Sequence, residues 1–129
     1  TMIEKLSYLT TGISIGAIVF QTSIVAPVVF SSLPGESSSI FLRKIFPRFF
    51  FLLIILSSLL VAMSLLSESK VNVILSMLST IFATTAYLII PATNKARDKE
   101  QTSVFKKLHV LSVMLTLGIG VSNLLITLI

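Results

Sequence analysis

Apolar positions along the chain fall into four continuous runs rather than an alternating pattern. The runs cover residues 6–30, 46–66, 71–90 and 108–129. An apolar helix needs about 20 residues to cross a hydrocarbon layer roughly 30 Å thick. Each run meets that length. The first contains no charged residue, and the second has only Arg48 near its start. Backbone groups in lipid must hydrogen-bond within their own segment, so every run is predicted to be an α-helix. Without strand alternation a β-barrel does not fit. The pattern predicts an all-α integral membrane four-helix bundle, with residues 1–129 as one domain.

The polar joints set the connections. Ser67-Glu68-Ser69-Lys70 is short enough only for a tight turn, so the second and third helices should form an antiparallel hairpin. Leu33-Pro34-Gly35 should end the first helix, because proline lacks a backbone donor and disfavours helix at the residue before it. Residues 37–46 are predicted to form a short helix on the membrane surface. Its Ile40, Phe41, Ile45 and Phe46 would share a face, with Arg43 and Lys44 to the side. Residues 94–107 are the most polar stretch and should extend a helix beyond the membrane.

Composition agrees with this class. Hydrophobic residues make up 54% of the chain and charged residues 12%, against about 25% charged in soluble domains. Mean hydropathy is +1.02. Absence of cysteine removes disulfide and thiolate chemistry. No cleavable signal peptide is expected, because the first apolar run is too long and has no basic segment before it. Eight basic residues (Arg43, Lys44, Arg48, Lys95, Arg97, Lys99, Lys106 and Lys107) belong to two joints on one side, and Lys5 and Lys70 to the other. The positive-inside rule then puts both termini outside and the two basic loops in the cytoplasm or its equivalent. The net charge of +5 follows from insertion and from contact with anionic lipid headgroups. Nucleic acid is not an expected partner.

Small and weakly polar residues mark where helices pack. Gly12 and Gly16 form G-x-x-x-G in the first run, near Ser7, Thr11, Ser14 and Gln21. The third run carries Ser76, Thr80 and Thr84, with Ser79 and Ala83 adjacent. Ser112, Thr116, Gly120, Asn123 and Thr127 form a stripe in the fourth. These stripes predict a mildly polar bundle interior. With few such residues, the second run is predicted to be the most exposed to lipid.

Polar and special residues gather toward the basic end. Gln21 should point inward, since an amide facing lipid is costly. Pro27 should kink the end of its helix. Helix directions place Arg48, Tyr87 and His109 near one depth, with Pro91 and Asn94 just beyond. His109 is the only histidine. Gln21, Pro27, Phe30, Pro34, Arg48, Tyr87, Asn94 and His109 are therefore the candidate corner. In it, His109 would sit between the first, third and fourth helices and donate to carbonyls freed at Leu33-Pro34. Its loss would cost about 1–3 kcal/mol.

Several motifs in order resemble the TMEM205-like membrane proteins, which are grouped by a domain of unknown function. They are Val29-Phe30-Ser31-Ser32-Leu33-Pro34, then Arg43-Lys44-Ile45-Phe46-Pro47-Arg48-Phe49-Phe50, then Pro91-Ala92-Thr93-Asn94. The last is Phe105-Lys106-Lys107-Leu108-His109-Val110-Leu111-Ser112, with Asn123 further on. The resemblance implies a four-span bundle with no established enzyme activity. Animal members are associated with resistance to platinum drugs, but this chain has no thiolate to carry soft-metal chemistry.

No catalytic set, cofactor site or metal site is expected. One histidine cannot form a bis-histidine haem, and the ligands for a metalloenzyme are too few. The favoured expectation is a non-enzymatic structural or accessory subunit of a larger membrane complex. Its partners would be membrane lipids and other membrane subunits, or further copies of itself. The alternative is a small transporter or ligand-binding bundle that acts as an oligomer.

Overall fold

The structure, a computed structural model describing residues 1–129, is entirely helical. Helix α1 (Met2–Phe20) passes through a π-helical turn (Gln21–Val25) into α2 (Ala26–Ser32). Helices α3 (Gly35–Leu66), α4 (Lys70–Leu88), α5 (Ile90–Asp98) and α6 (Thr102–Leu128) follow. Four helical stretches are long and apolar enough to cross a membrane: Met2–Ser32, Gly35–Leu66, Lys70–Asp98 and Thr102–Leu128. They stand in the cyclic order α1, α3, α4, α6, with every neighbouring pair antiparallel.

Local chemistry explains the joints. Leu33 is extended and Pro34 caps α3. The Ser69 hydroxyl accepts from the Asn72 N–H at 3.3 Å and opens α4. Both tight turns, around residues 68 and 100, need left-handed backbone, which Glu68 (φ 57°) and Glu100 (φ 56°) adopt. The π-turn arises beside Pro27. The Ala26 N–H reaches back five residues to the Gln21 carbonyl, and the residue after it has no N–H to give.

Two expectations are corrected here. Residues 37–46 do not form a separate surface helix; they are the first turns of α3, a single helix of 32 residues. At about 1.5 Å per residue it is roughly 48 Å long, well beyond the hydrocarbon thickness. Pro47 lies inside it, and the Arg48 guanidinium donates to the Lys44 carbonyl at 2.6 Å, next to the proline site. The second apolar run is also not the lipid-facing one. In its most apolar window 39% of residues are buried, against 22% to 28% in the other three.

Shape, not polarity, makes α3 central. Phe49, Phe50 and Leu53 pack into one cluster with Ile18 of α1, Ala83 and Ala86 of α4, and Ile119 of α6. The Phe49 and Phe50 rings lie 5.1 Å apart, and Phe46 joins them. Alanines opposite the rings give them room. A similar fit holds α4 to α6, where a Cβ on Gly118 would come within 2.8 Å of the Phe82 ring. Gly12 and Gly16 differ. Nothing lies within 4 Å of where their Cβ atoms would be, so the G-x-x-x-G faces away from the bundle rather than into it.

Candidate functional site

Side chains concentrate polar chemistry in two zones, one at the basic end and one at mid-height inside the bundle.

At the basic end α3, α5 and α6 meet. The Arg43 Nη1 donates to Asp98 Oδ2 at 3.0 Å, and its Nη2 donates to Oδ1. This two-point ion pair ties the start of α3 to the end of α5. Hydrogen bonding from Arg43, and then its charge, holds the Asp98 carboxyl below the usual carboxylate range. Arg97 lies 5.9 Å from the centre of the Phe105 ring, a cation–π distance. Phe105 in turn stacks on His109 of its own helix at 5.9 Å and 10°. Ala96, Arg97, Glu100, Thr102 and Phe105 line an open hollow of about 420 Å³ here.

The candidate corner is only partly assembled. Gln21 is buried at 4% exposure, as its amide requires, but its Nε2 finds no partner. Pro27, Phe30 and Pro34 are exposed along α2 and its end. Arg48 is exposed and bonded within its own helix. Tyr87 packs its ring against Phe51, and Asn94 is half-buried. His109 is exposed and stacks on Phe105; no hydrogen bond links it to Leu33 or Pro34. The corner is closed by Arg43 and Asp98 instead, whose pairing across 55 positions no sequence spacing announces. Since the imidazole is held by stacking alone at an exposed site, His109→Ala is expected to melt close to the wild type, within about 0.5 kcal/mol. A thermal melt in detergent checks this.

In sequence the second zone shows only as small-residue stripes with Asn123, alongside Gln21, as a polar residue at membrane depth; nothing there announces a connected network. Ser57 and Ser79 hydroxyls are 2.7 Å apart. Asn123 Nδ2 donates to Ser79 Oγ at 3.2 Å and to the Ile119 carbonyl at 2.8 Å. A hydrogen-bonded chain therefore crosses α3, α4 and α6 with every member buried. One turn nearer the chain termini, Thr127 donates to Thr11 at 2.8 Å and joins α6 to α1. Hydrogen bonds among small side chains join close packing in holding helices together where lipid removes the hydrophobic drive. No three His, Asp or Glu side chains converge anywhere in the chain.

No curated protein and no solved structure matches the chain. The family described as Domain of unknown function (DUF4149), which is linked to the TMEM205-like proteins, matches residues 9–102. That match runs from α1 through the Arg43–Asp98 corner to the start of α6, and on it the chain belongs to the DUF4149 family.

Proposed function

We propose that this protein is a non-catalytic structural or accessory subunit of a larger membrane complex, docked through the outer face of α1. The observation that carries this reading is the outward G-x-x-x-G. Gly12 and Gly16 leave open space beside α1, and such a face lets a second helix approach closely. Purification from the native membrane tests it. A partner should copurify at fixed stoichiometry from wild type and be lost from Gly12→Leu/Gly16→Leu, while the bundle melts unchanged. Wild-type protein that comes out alone overturns the reading. Cross-linked homo-oligomers sensitive to the same substitutions would support self-association through that face instead.

Orientation belongs to the same reading. Arg43, Arg97 and the lysines around them share one end of the bundle, while the 67–69 turn shares the other with residues 3, 4, 126 and 129. The basic end is the cytoplasmic side by the positive-inside rule. Single cysteines at exposed Ser37 and Ser67 provide the check, since Ser38 is buried and would label poorly. Ser67→Cys should react with an impermeant reagent added from outside, and Ser37→Cys only after permeabilisation. The reverse pattern inverts the topology.

A further inference from the structure

The polar chain at mid-height involves three helices of four. Ser57 of α3 meets Ser79 of α4, and Ser79 accepts from Asn123 of α6. Only α1 is missing, and α1 stands between α6 and α3 in the ring of helices.

Register shows what α1 contributes at that level. Thr11 pairs with Thr127, and Ile18 reaches Gly120. Residue 14 is therefore level with residues 123 and 124. Ser7 pairs with Met63 across α1 and α3, which sets residue 14 level with residues 56 and 57. Ser14 thus occupies the fourth position of the same layer. It is 1% exposed, so its hydroxyl faces inward.

Both ends of the open link are unsatisfied. Ser14 Oγ and Asn123 Oδ1 are fully buried and have no hydrogen-bond partner, and they do not bond each other. Asn123 is 0% exposed and has already committed its Nδ2 to two acceptors. A buried polar atom left unpaired costs about 1–3 kcal/mol. Two such atoms on neighbouring helices at one depth, beyond direct bonding distance, are the setting in which a water bridges. A buried water needs a polar site and two to four partners. The layer supplies a carbonyl oxygen that can only accept and a hydroxyl that can accept or donate. Its other members, Ser57 and Ser79, are serines, which carry the smallest hydroxyl side chains.

We propose that a single ordered water binds between Ser14 Oγ and Asn123 Oδ1 and extends the hydrogen-bonded polar layer from three helices to all four. The water donates one hydrogen to Asn123 Oδ1. It either donates the other to Ser14 Oγ or accepts a hydrogen bond from the Ser14 O–H. It also ties α1 to the remaining three helices at mid-height, where α1 otherwise contributes no hydrogen bond.

Selective labelling tests this in the intact protein. The chain has three asparagines, Asn72, Asn94 and Asn123, and only Asn123 is fully enclosed. With ¹⁵N-asparagine protein in deuterated-lipid nanodiscs, the Asn123 side-chain amide should show a cross-relaxation peak to a long-lived water. In Ser14→Ala that peak should fall at least severalfold with the Asn123 amide still dispersed as in the folded protein. Ser14→Thr, which restores the hydroxyl, should recover it. Ser31→Ala, on the exposed face of α2, should leave it unchanged. A wild-type Asn123 amide with no water peak overturns the proposal. So does a peak of equal strength in Ser14→Ala, or a high-resolution structure in which Ser14 Oγ bonds directly to Asn123 Oδ1.

Discussion

Truncating Phe50 to alanine should destabilise the bundle by about 2–4 kcal/mol, while the same change at the next residue, Phe51, should cost less than about 0.5 kcal/mol. Phe50 is 3% exposed and Phe51 is 54% exposed. In water-soluble cores a Phe→Ala change costs about 3–5 kcal/mol, combining lost transfer energy with the cavity left behind. Lipid is as apolar as the core, so the transfer part largely disappears in a membrane. What is left is dispersion. The Phe50 ring touches Phe49 and Phe46 and lies in the cluster with Ile18, Ala83, Ala86 and Ile119. Alanine there would leave a gap in the cluster that joins α3 to α1, α4 and α6, and the alanines of α4 are too short to fill it. At Phe51 lipid replaces the lost ring, apart from its contact with Tyr87. A denaturation series in mixed micelles reads both. Equal losses at the two positions would mean that α3 is not the central helix.

Much of this fold was legible in the chain, and the parts that were not share a cause. Continuous apolar runs show where helices can cross, because lipid forces every backbone group into its own helix. Leu33-Pro34-Gly35 and the Ser67–Lys70 joint end and start helices through local backbone chemistry, which sequence carries directly. The inward side of each helix is harder to read. In a soluble protein polarity reports it, but a lipid-facing leucine and a buried leucine look alike. The small-residue rule found the inward faces of α4 and α6, where Ser76, Ser79, Ala83 and Asn123 are all buried. It failed for Gly12 and Gly16, which face outward, and for α3, whose packing is aromatic. Gln21 was placed inward correctly, since an amide has nowhere else to go. The His109 corner rests on depth and on the carbonyls freed at Leu33-Pro34. Depth fixes height along the bundle but not rotation about a helix, and the rotation of α6 leaves His109 exposed, stacked only on Phe105 one turn earlier in the same helix. The Arg43–Asp98 pair joins the first turns of α3, read in sequence as a separate surface helix, to the end of α5, a meeting that no local pattern carries.

Asn123 carries the other large expectation. Asn123→Ala should lower stability by roughly 2 kcal/mol, and most of that loss should vanish when Ser79 is already alanine. An interhelical hydrogen bond in a membrane averages about 0.6 kcal/mol and reaches about 1.7. Asn123 sits at the high end of that range. It is fully enclosed and donates to both Ser79 and the Ile119 carbonyl. Removing its amide also opens a gap between α4 and α6 that the surrounding serines cannot close. Ser79→Ala breaks the same chain from the other side and strands Ser57 as well as Asn123. Groups that share one hydrogen-bond network couple by about 0.5–3 kcal/mol in a double-mutant cycle. The double variant should therefore be little worse than the worse single one. Asn123→Leu, which fills the volume and leaves Ser57 and Ser79 to satisfy each other, should cost less than Asn123→Ala. Strict additivity of Asn123→Ala and Ser79→Ala in detergent melts would show that the polar layer is a set of separate contacts and not one network spanning the helices.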